Sequence, residues 1–268
     1  MTDSKIVFIT GANTGIGYET VKALLKSVRR YVILLGTRSL VKGEAAIESL
    51  RTEVPDSSST VHSIVIDVVS DESIEAAFKE VEVRWGRVDS LINNAGAEFS
   101  WEFKAGKLTR RELLNKTFDV NVSGAYIVTE TFMPLLLRSS DARIIFISSG
   151  QASLTAFSNG MMRLPPLPAA GWPKEMAFDA TAYRSAKAAL NMMMLNISRM
   201  LRNDKVKVWG VSPGFLKTGL GNMDPALVET MGAKDPSIGG IFIKDVVEGL
   251  KDADVGKVVH AEGHVQDW

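Results

Sequence analysis

"KIVFITGANTGIG" (5–17) decides the fold. An apolar, β-branched run at 5–10 ends in glycines at 11, 15 and 17, and a helical pattern begins at 16. Glycines placed there permit a tight turn and let backbone N–H groups approach a phosphate at the start of a helix. The loop falls at the first strand-to-helix turn, where such a cradle binds pyrophosphate. Its spacing, Gly11, Gly15 and Gly17, departs from G-x-G-x-x-G.

The same alternation runs through the chain. Segments 31–36, 61–66, 88–93, 143–148, 206–211 and 256–261 are near-continuous apolar runs. Strands that read this way are buried on both faces, as in a parallel sheet covered by helices. Amphipathic segments lie between them, such as 16–29, 40–53, 72–85 and 110–138. The pattern predicts an α/β protein: one doubly wound Rossmann-type domain over 1–268, a seven-stranded parallel sheet with helices on both faces. One stretch breaks the rhythm. Residues 151–178 hold four of the nine prolines, with Phe157, Met161, Met162, Leu164 and Trp172. Pro165, Pro166 and Pro168 forbid a continuous helix. A long apolar insertion at the carboxyl end of a strand is expected to serve as a lid or pocket wall. The alternative is a surface excursion packed against the body.

Composition narrows the function. Lys plus Arg equals Asp plus Glu, 31 each, so neither a nucleic-acid surface nor an acidic tail is expected. Cysteine is absent, which excludes disulfides, thiolate zinc sites and thiol catalysis. His62, His260 and His264 are too few and too scattered to suggest a metal site. The first residues do not read as a secretory leader, and no apolar run reaches membrane-spanning length. A cytoplasmic protein without membrane partners is expected.

The second strand runs into "GTRS" (36–39), with no carboxylate until Glu44. An acid there would hold the free ribose hydroxyls of NAD, whereas Arg38 suits a 2′-phosphate by charge and by its donor fork. NADP(H) is therefore expected over NAD(H). Asp67 either accepts from an adenine amino group or begins a loop; the spacing leaves both open. "YRSAK" (183–187) puts Tyr183 and Lys187 four residues apart, on one face of a helix. A phenol holds its proton to about pH 10. A nearby ammonium favours the phenolate. The spacing alone suits a proton donor that works near neutral pH and equally an ordinary solvated helix face, and the rest of the chain has to decide.

"TGANTGIG" (10–17), "DV" (67–68), "NNAG" (93–96), "DVNVSG" (119–124), "ISSG" (147–150), "YRSAK" and "SPGFLKTGL" (212–220) occur in one fixed order. Over essentially the whole chain this set resembles the short-chain dehydrogenase/reductase family. The resemblance implies that Tyr183 is the acid/base and that Lys187 lowers its pKa and holds the nicotinamide ribose. It implies that Ser149 steadies the substrate oxygen and that Asn121 anchors a proton relay near the lysine. It further implies a cofactor lined by Gly11, Asn13, Gly15, Ile16, Gly17, Arg38, Asp67, Val68, Asn94, Ala95, Gly96, Pro213, Gly214, Leu216 and Thr218, besides Tyr183 and Lys187. Leu216 and Thr218 would meet the nicotinamide carboxamide. One departure is Thr14, where some NADP-preferring members carry a basic residue.

The long separation of Ser149 from Tyr183, with the ending "GKVVHAEGHVQDW", is similar to the carbonyl-reductase branch. There the insertion can cover a helix face that tetrameric relatives use, so a monomer or homodimer is expected rather than a homotetramer. Ala97, Phe99, Gln151 and Phe215 would give a mostly apolar pocket, suited to a bulky ketone or aldehyde. The implied function is NADPH-dependent carbonyl reduction, reversible in principle. The alternative is a catalytically silent NADP(H)-sensing regulatory protein, which has no need of Ser149, Tyr183 and Lys187 together.

Overall fold

Seven short runs pair side by side, all in parallel: β1 (Lys5–Ile9), β2 (Tyr31–Thr37), β3 (Thr60–Val65), β4 (Ser90–Asn93), β5 (Arg143–Ile147), β6 (Lys207–Ser212) and β7 (Val258–His260). Their order is β3-β2-β1-β4-β5-β6-β7, as a doubly wound sheet requires. The computed structural model describes residues 4–268 except 163, 165, 175–178 and 223. Within the 151–178 insertion, Pro165 and the apolar residues at its far end, Met176 and Phe178, thus lie outside the described residues.

The alternation along β1 explains both layers. Ile6 and Phe8 pack on one face with Ile144, Phe146, Phe132 and Met194. Val7 and Ile9 pack on the other with Val21, Leu24, Trp209 and Ile243. Val7, Phe8 and Ile9 are wholly buried, each worth roughly 1.5–3 kcal/mol. The first face is covered by α3 (Asp71–Trp85), α6 (Gly124–Leu136) and α8 (Thr181–Met200), the second by α1 (Gly15–Leu25), α2 (Leu40–Glu53) and α10 (Pro236–Val247). Helix ends follow local chemistry: Ser39 and Ser70 cap α2 and α3, and Gly86, at φ 72°, closes α3.

Three features depart from the sequence reading. The segment 110–138 is not one helix. It is α5 (Arg110–Phe118), a π turn (Asp119–Ser123) and then α6, with Pro134 inside α6. The extra residue of a π turn rotates the helix beyond it, and such turns gather at functional sites. α10 had no expected counterpart; its start is set by Asp235 as cap and Pro236 in the first turn. In the insertion, the described part contains a 3-10 turn (Gly150–Ala152) and the short α7 (Leu154–Ser158) and leaves Leu154, Phe157, Met161, Leu167 and Trp172 exposed.

Beyond these, α4 (Ser100–Lys104) comes after β4, and α9 (Pro225–Thr230) lies between β6 and α10. Strand order reverses between β1 and β4, whose neighbours run to opposite edges. A crevice therefore opens at the carboxyl ends of these two strands. The motifs quoted above lie at carboxyl strand ends, on α8 or on the π turn.

Candidate active site

The crevice is built around the glycine loop. Gly11 takes φ 62° and Gly15 φ 58°, a region that side chains rarely adopt. A Cβ on Gly11 would stand 3.0 Å from the Ala95 Cα. Thr10 ties this loop to the next: its Oγ1 accepts from the backbone N–H of Asn94 (3.1 Å) and of Ala95 (3.0 Å). The Asn94 side chain donates back to the carbonyls of Thr10 (2.8 Å) and Gly11 (3.0 Å). Asn94 thus spends its amide holding the cradle. Thr14 leads into α1 without a side-chain cap, and no acid sits in the first turn, so the helix start faces the crevice bare.

The cradle's other walls come from distant segments. Arg38 is exposed at the end of β2, and among the described residues nothing pairs with it. The next residue, Ser39, caps α2. Asp67 and Val68 come directly after β3. The Asp67 Oδ1 accepts from the Val69 N–H at 3.3 Å, so this acid does begin a loop. After β6, Gly214 turns at φ 91° and Leu216 bridges to Lys234. Gly239 of α10 brings this loop to the cradle: a Cβ there would meet Leu216 at 2.7 Å, Pro213 at 3.2 Å and Ile16 at 3.5 Å. Thr218 lies 3.8 Å from the Cβ position of Gly15. Of the loop glycines, Gly17 is packed most tightly, with the Asn94 Nδ2, Gly11 O and Ala12 Cα at 2.6, 2.7 and 2.8 Å from its Cβ position.

Next to the cradle stand the polar groups. Ser149, just beyond β5, and Tyr183, on α8, are half-buried, and the Ser149 hydroxyl lies near enough to the Tyr183 phenol to pull its pKa down. Lys187 is 4% exposed, one turn along α8; its Nζ donates to the Ile147 carbonyl at 2.7 Å and stands 5.7 Å from the Tyr183 ring centre. Asn121, in the π turn, is buried and donates to the carbonyls of Ala97 (2.8 Å) and Thr117 (2.7 Å). The Asn121 Oδ1 and the Lys187 Nζ both lie beside Gly96, at 3.0 and 3.5 Å from its Cβ position.

One expectation is overturned. The phenol of Tyr183 is not drawn toward neutral pH. Burial pushes it up to about 12; the nearby Ser149 hydroxyl pulls it down and the Glu98 carboxylate pushes it up. Burial also pushes the Lys187 ammonium down to about 8. A crowded pocket disfavours both charged forms, and the ammonium is turned to a backbone carbonyl. Tyr183 therefore holds its proton throughout the neutral range.

Other side chains carried no signal in the motifs. Glu98 is one, a lone acid whose Oε1 accepts from the Ser100 N–H at 2.8 Å. Arg184 donates to the Gln151 Oε1 at 2.7 Å and lies over the Phe157 ring, so the substrate side is less uniformly apolar than expected. The histidines are less scattered than their spacing implied. The chain folds back at 260–264, His260 and His264 stack at 4.5 Å, and Glu262 joins them. These groups are already engaged: the Glu262 N–H donates to the His260 Nδ1 at 3.1 Å, and Lys234 donates to the Glu262 carboxylate at 3.0 Å. Among the described residues, no helix is long and apolar enough to cross a membrane.

Comparison with known proteins agrees with this layout. A family model described as short chain dehydrogenase matches residues 5–161. The chain is 45% identical over 268 residues to the short-chain dehydrogenase/reductase tropE of Talaromyces stipitatus, spanning 100% of this chain and 99% of that protein. It is 47% identical over 255 residues to the short-chain dehydrogenase/reductase eupG of Phoma sp, spanning 92% and 91%. Among solved structures, the NADPH-bound carbonyl reductase from chicken fatty liver has the same fold, with a TM-score of 0.79 over 99% of each chain at 24% identity.

Proposed function

The chain belongs to the short-chain dehydrogenase/reductase family, an oxidoreductase family, and from that premise we propose that it is an NADPH-dependent reductase of bulky apolar ketones or aldehydes. The observation that carries the reading is the gathering of Ser149, Tyr183 and Lys187 beside the glycine cradle, with the Lys187 Nζ 5.7 Å from the Tyr183 ring centre and bonded to the Ile147 carbonyl. A cytoplasmic monomer or homodimer, acting on a small molecule, fits the same reading.

The residues of the cradle suit a dinucleotide. Gly11 and Gly17 leave no room for a side chain, and the helix start beyond them is bare. Gly11, Asn13, Gly15, Ile16 and Gly17 would hold the pyrophosphate side, and Arg38 a 2′-phosphate. Asp67, Val68, Asn94, Ala95 and Gly96 would line the adenosine-to-nicotinamide path, and Pro213, Gly214, Leu216 and Thr218 the carboxamide end. Bound there, the reduced nicotinamide supplies a hydride. NADPH is the ligand of the chicken liver neighbour, which adds to the case from Arg38.

The chain's own groups handle the oxygen. The hydroxyls of Ser149 and Tyr183 donate to the substrate carbonyl, where negative charge grows, and fixed donors stabilise that charge most in the transition state. Tyr183 then gives its proton to the oxygen. Lys187 keeps positive charge near the site, and Asn121 holds the Ala97 peptide and carries the proton relay over Gly96. A silent cofactor sensor has no use for this set. Mixing the protein with NADPH and a panel of aromatic ketones and aldehydes, then following nicotinamide absorbance, tests the reading; binding of NADPH with no turnover across the panel would favour the sensor.

Two expectations sharpen it. Lys187 is charged below about 8 and loses that charge as pH rises through it. Reduction is therefore expected to hold level through neutral pH and to decline above about pH 8, in a profile of kcat/KM against pH. A profile still level two units higher would contradict a role for the ammonium. Arg38→Leu removes one charge-assisted contact, worth about 1.5–3 kcal/mol. NADPH affinity should fall about 10–100-fold and NADH affinity hardly at all, by fluorescence titration. Equal losses for both would remove the case for NADP(H).

A further inference from the structure

The turn that carries Ser149 is held from outside the motifs. Beyond β7, the chain reverses: Val265 bridges to Val259, and the Gln266 N–H donates to the Val258 carbonyl at 2.8 Å. That backbone bond docks the tail without help from the Gln266 side chain. The side chain turns inward, and the residue is 7% exposed. Its Nε2 donates to the Ser149 carbonyl oxygen at 3.2 Å, and its Oε1 lies 4.0 Å from the Cβ position of Gly150. The Oε1 is buried with no hydrogen-bond partner among the described residues. The Ser212 Oγ lies beside the same spot, 3.8 Å from the Gly150 Cβ position, so polar side chains from β6 and from 266 converge on the Ser149–Gly150 turn.

We propose that Gln266 is a positioning residue for Ser149: its amide grips the Ser149 carbonyl and fixes the turn that aims the Ser149 hydroxyl at the substrate oxygen. This rests on the carbonyl-reductase reading of Ser149. The geometry around the turn supports it. The Ser149 carbonyl also accepts from the Ala152 N–H at 3.0 Å, and the Ser149 Oγ accepts from the Gln151 N–H at 3.1 Å. The Trp268 backbone oxygen accepts from the Thr155 N–H at 2.6 Å. The segment 149–155 is thus clamped at both ends by 266–268. Oxygen-stabilising donors act only when fixed in place, and a small misplacement costs much of their effect.

The test is a double-substitution cycle with Gln266→Met, which keeps the side-chain length and removes the donor. The single variant should lose about tenfold in kcat, with KM for the ketone and the NADPH dissociation constant nearly unchanged. Amide exchange at Ala152, whose partner is the same carbonyl, should quicken. In a Ser149→Ala background, Gln266→Met should cost little more, because the group it positions is gone. A full tenfold further loss in that background, or unchanged kcat in the single variant, would overturn the proposal. If Gln266→Met proves too unstable to assay, Gln266→Glu, which keeps the shape and cannot donate when ionised, takes its place in the same cycle. If Ser149→Ala alone leaves reduction intact, the reading of Ser149 itself falls, an outcome distinct from additivity.

Discussion

Tyr183→Phe is expected to reduce ketones about 10³–10⁴-fold more slowly than the parent while binding NADPH with unchanged affinity. The ring and its packing stay; the proton and one oxygen-facing donor go. General acid catalysis is worth about 10²–10⁴-fold, and an oxyanion donor about 10²–10³. The two belong to one hydroxyl and do not simply multiply. Ser149→Ala removes only a donor and should cost about 10²-fold. The ranking matters more than either figure. Equal losses in the two variants would leave no separate acid, and a Tyr183→Phe enzyme as fast as the parent would remove Tyr183 from the chemistry. The upward push on the phenol, to about 12, fits the reductive direction, because the acid is loaded at every physiological pH. Alcohol oxidation needs the deprotonated oxygen as proton acceptor, so it should gain as pH rises.

Gly17→Ala is the second large effect. A single methyl would stand 2.6 Å from the Asn94 amide nitrogen, 2.7 Å from the Gly11 carbonyl and 2.8 Å from the Ala12 Cα. Two of these are backbone atoms, and the third is the amide that fastens the cradle. No side-chain rotation relieves the clash, so the loop must shift. The expected result is about a 100-fold loss of NADPH affinity, with a stability cost of about 1–3 kcal/mol. Gly219→Ala is the control, since nothing lies within 4 Å of its Cβ position. Calorimetric titration of the two variants with NADPH checks both, and equal affinities would contradict a cradle at 11–17.

Much of this was legible in the chain because it is local. Strands buried on both faces read as apolar runs, and a glycine loop between a strand and a helix declares itself by position. The i, i+4 spacing of Tyr183 and Lys187 puts both on one face of α8, where Lys187 is buried and Tyr183 half-buried. The remainder depends on distant neighbours. Whether an ammonium lowers a phenol's pKa or burial raises it turns on how deeply both are enclosed, which spacing does not encode. The π turn at Asn121 needs the packing of α5 and α6 to place its extra residue. Gln266 lies 117 positions from Ser149, and a lone glutamine carries no pattern. Arg184 was in plain view inside "YRSAK", but its contact with Gln151 is made across the insertion.

The most direct measurement tracks an isotope rather than a rate. NADPH carrying deuterium in both positions of the transferable nicotinamide carbon is incubated with the protein and a bulky aromatic ketone, and the alcohol is examined by mass spectrometry. The account predicts one deuterium on the carbinol carbon and almost no alcohol from Tyr183→Phe in the same time. Alcohol formed without the label, or labelled alcohol formed equally well by Tyr183→Phe, would contradict it.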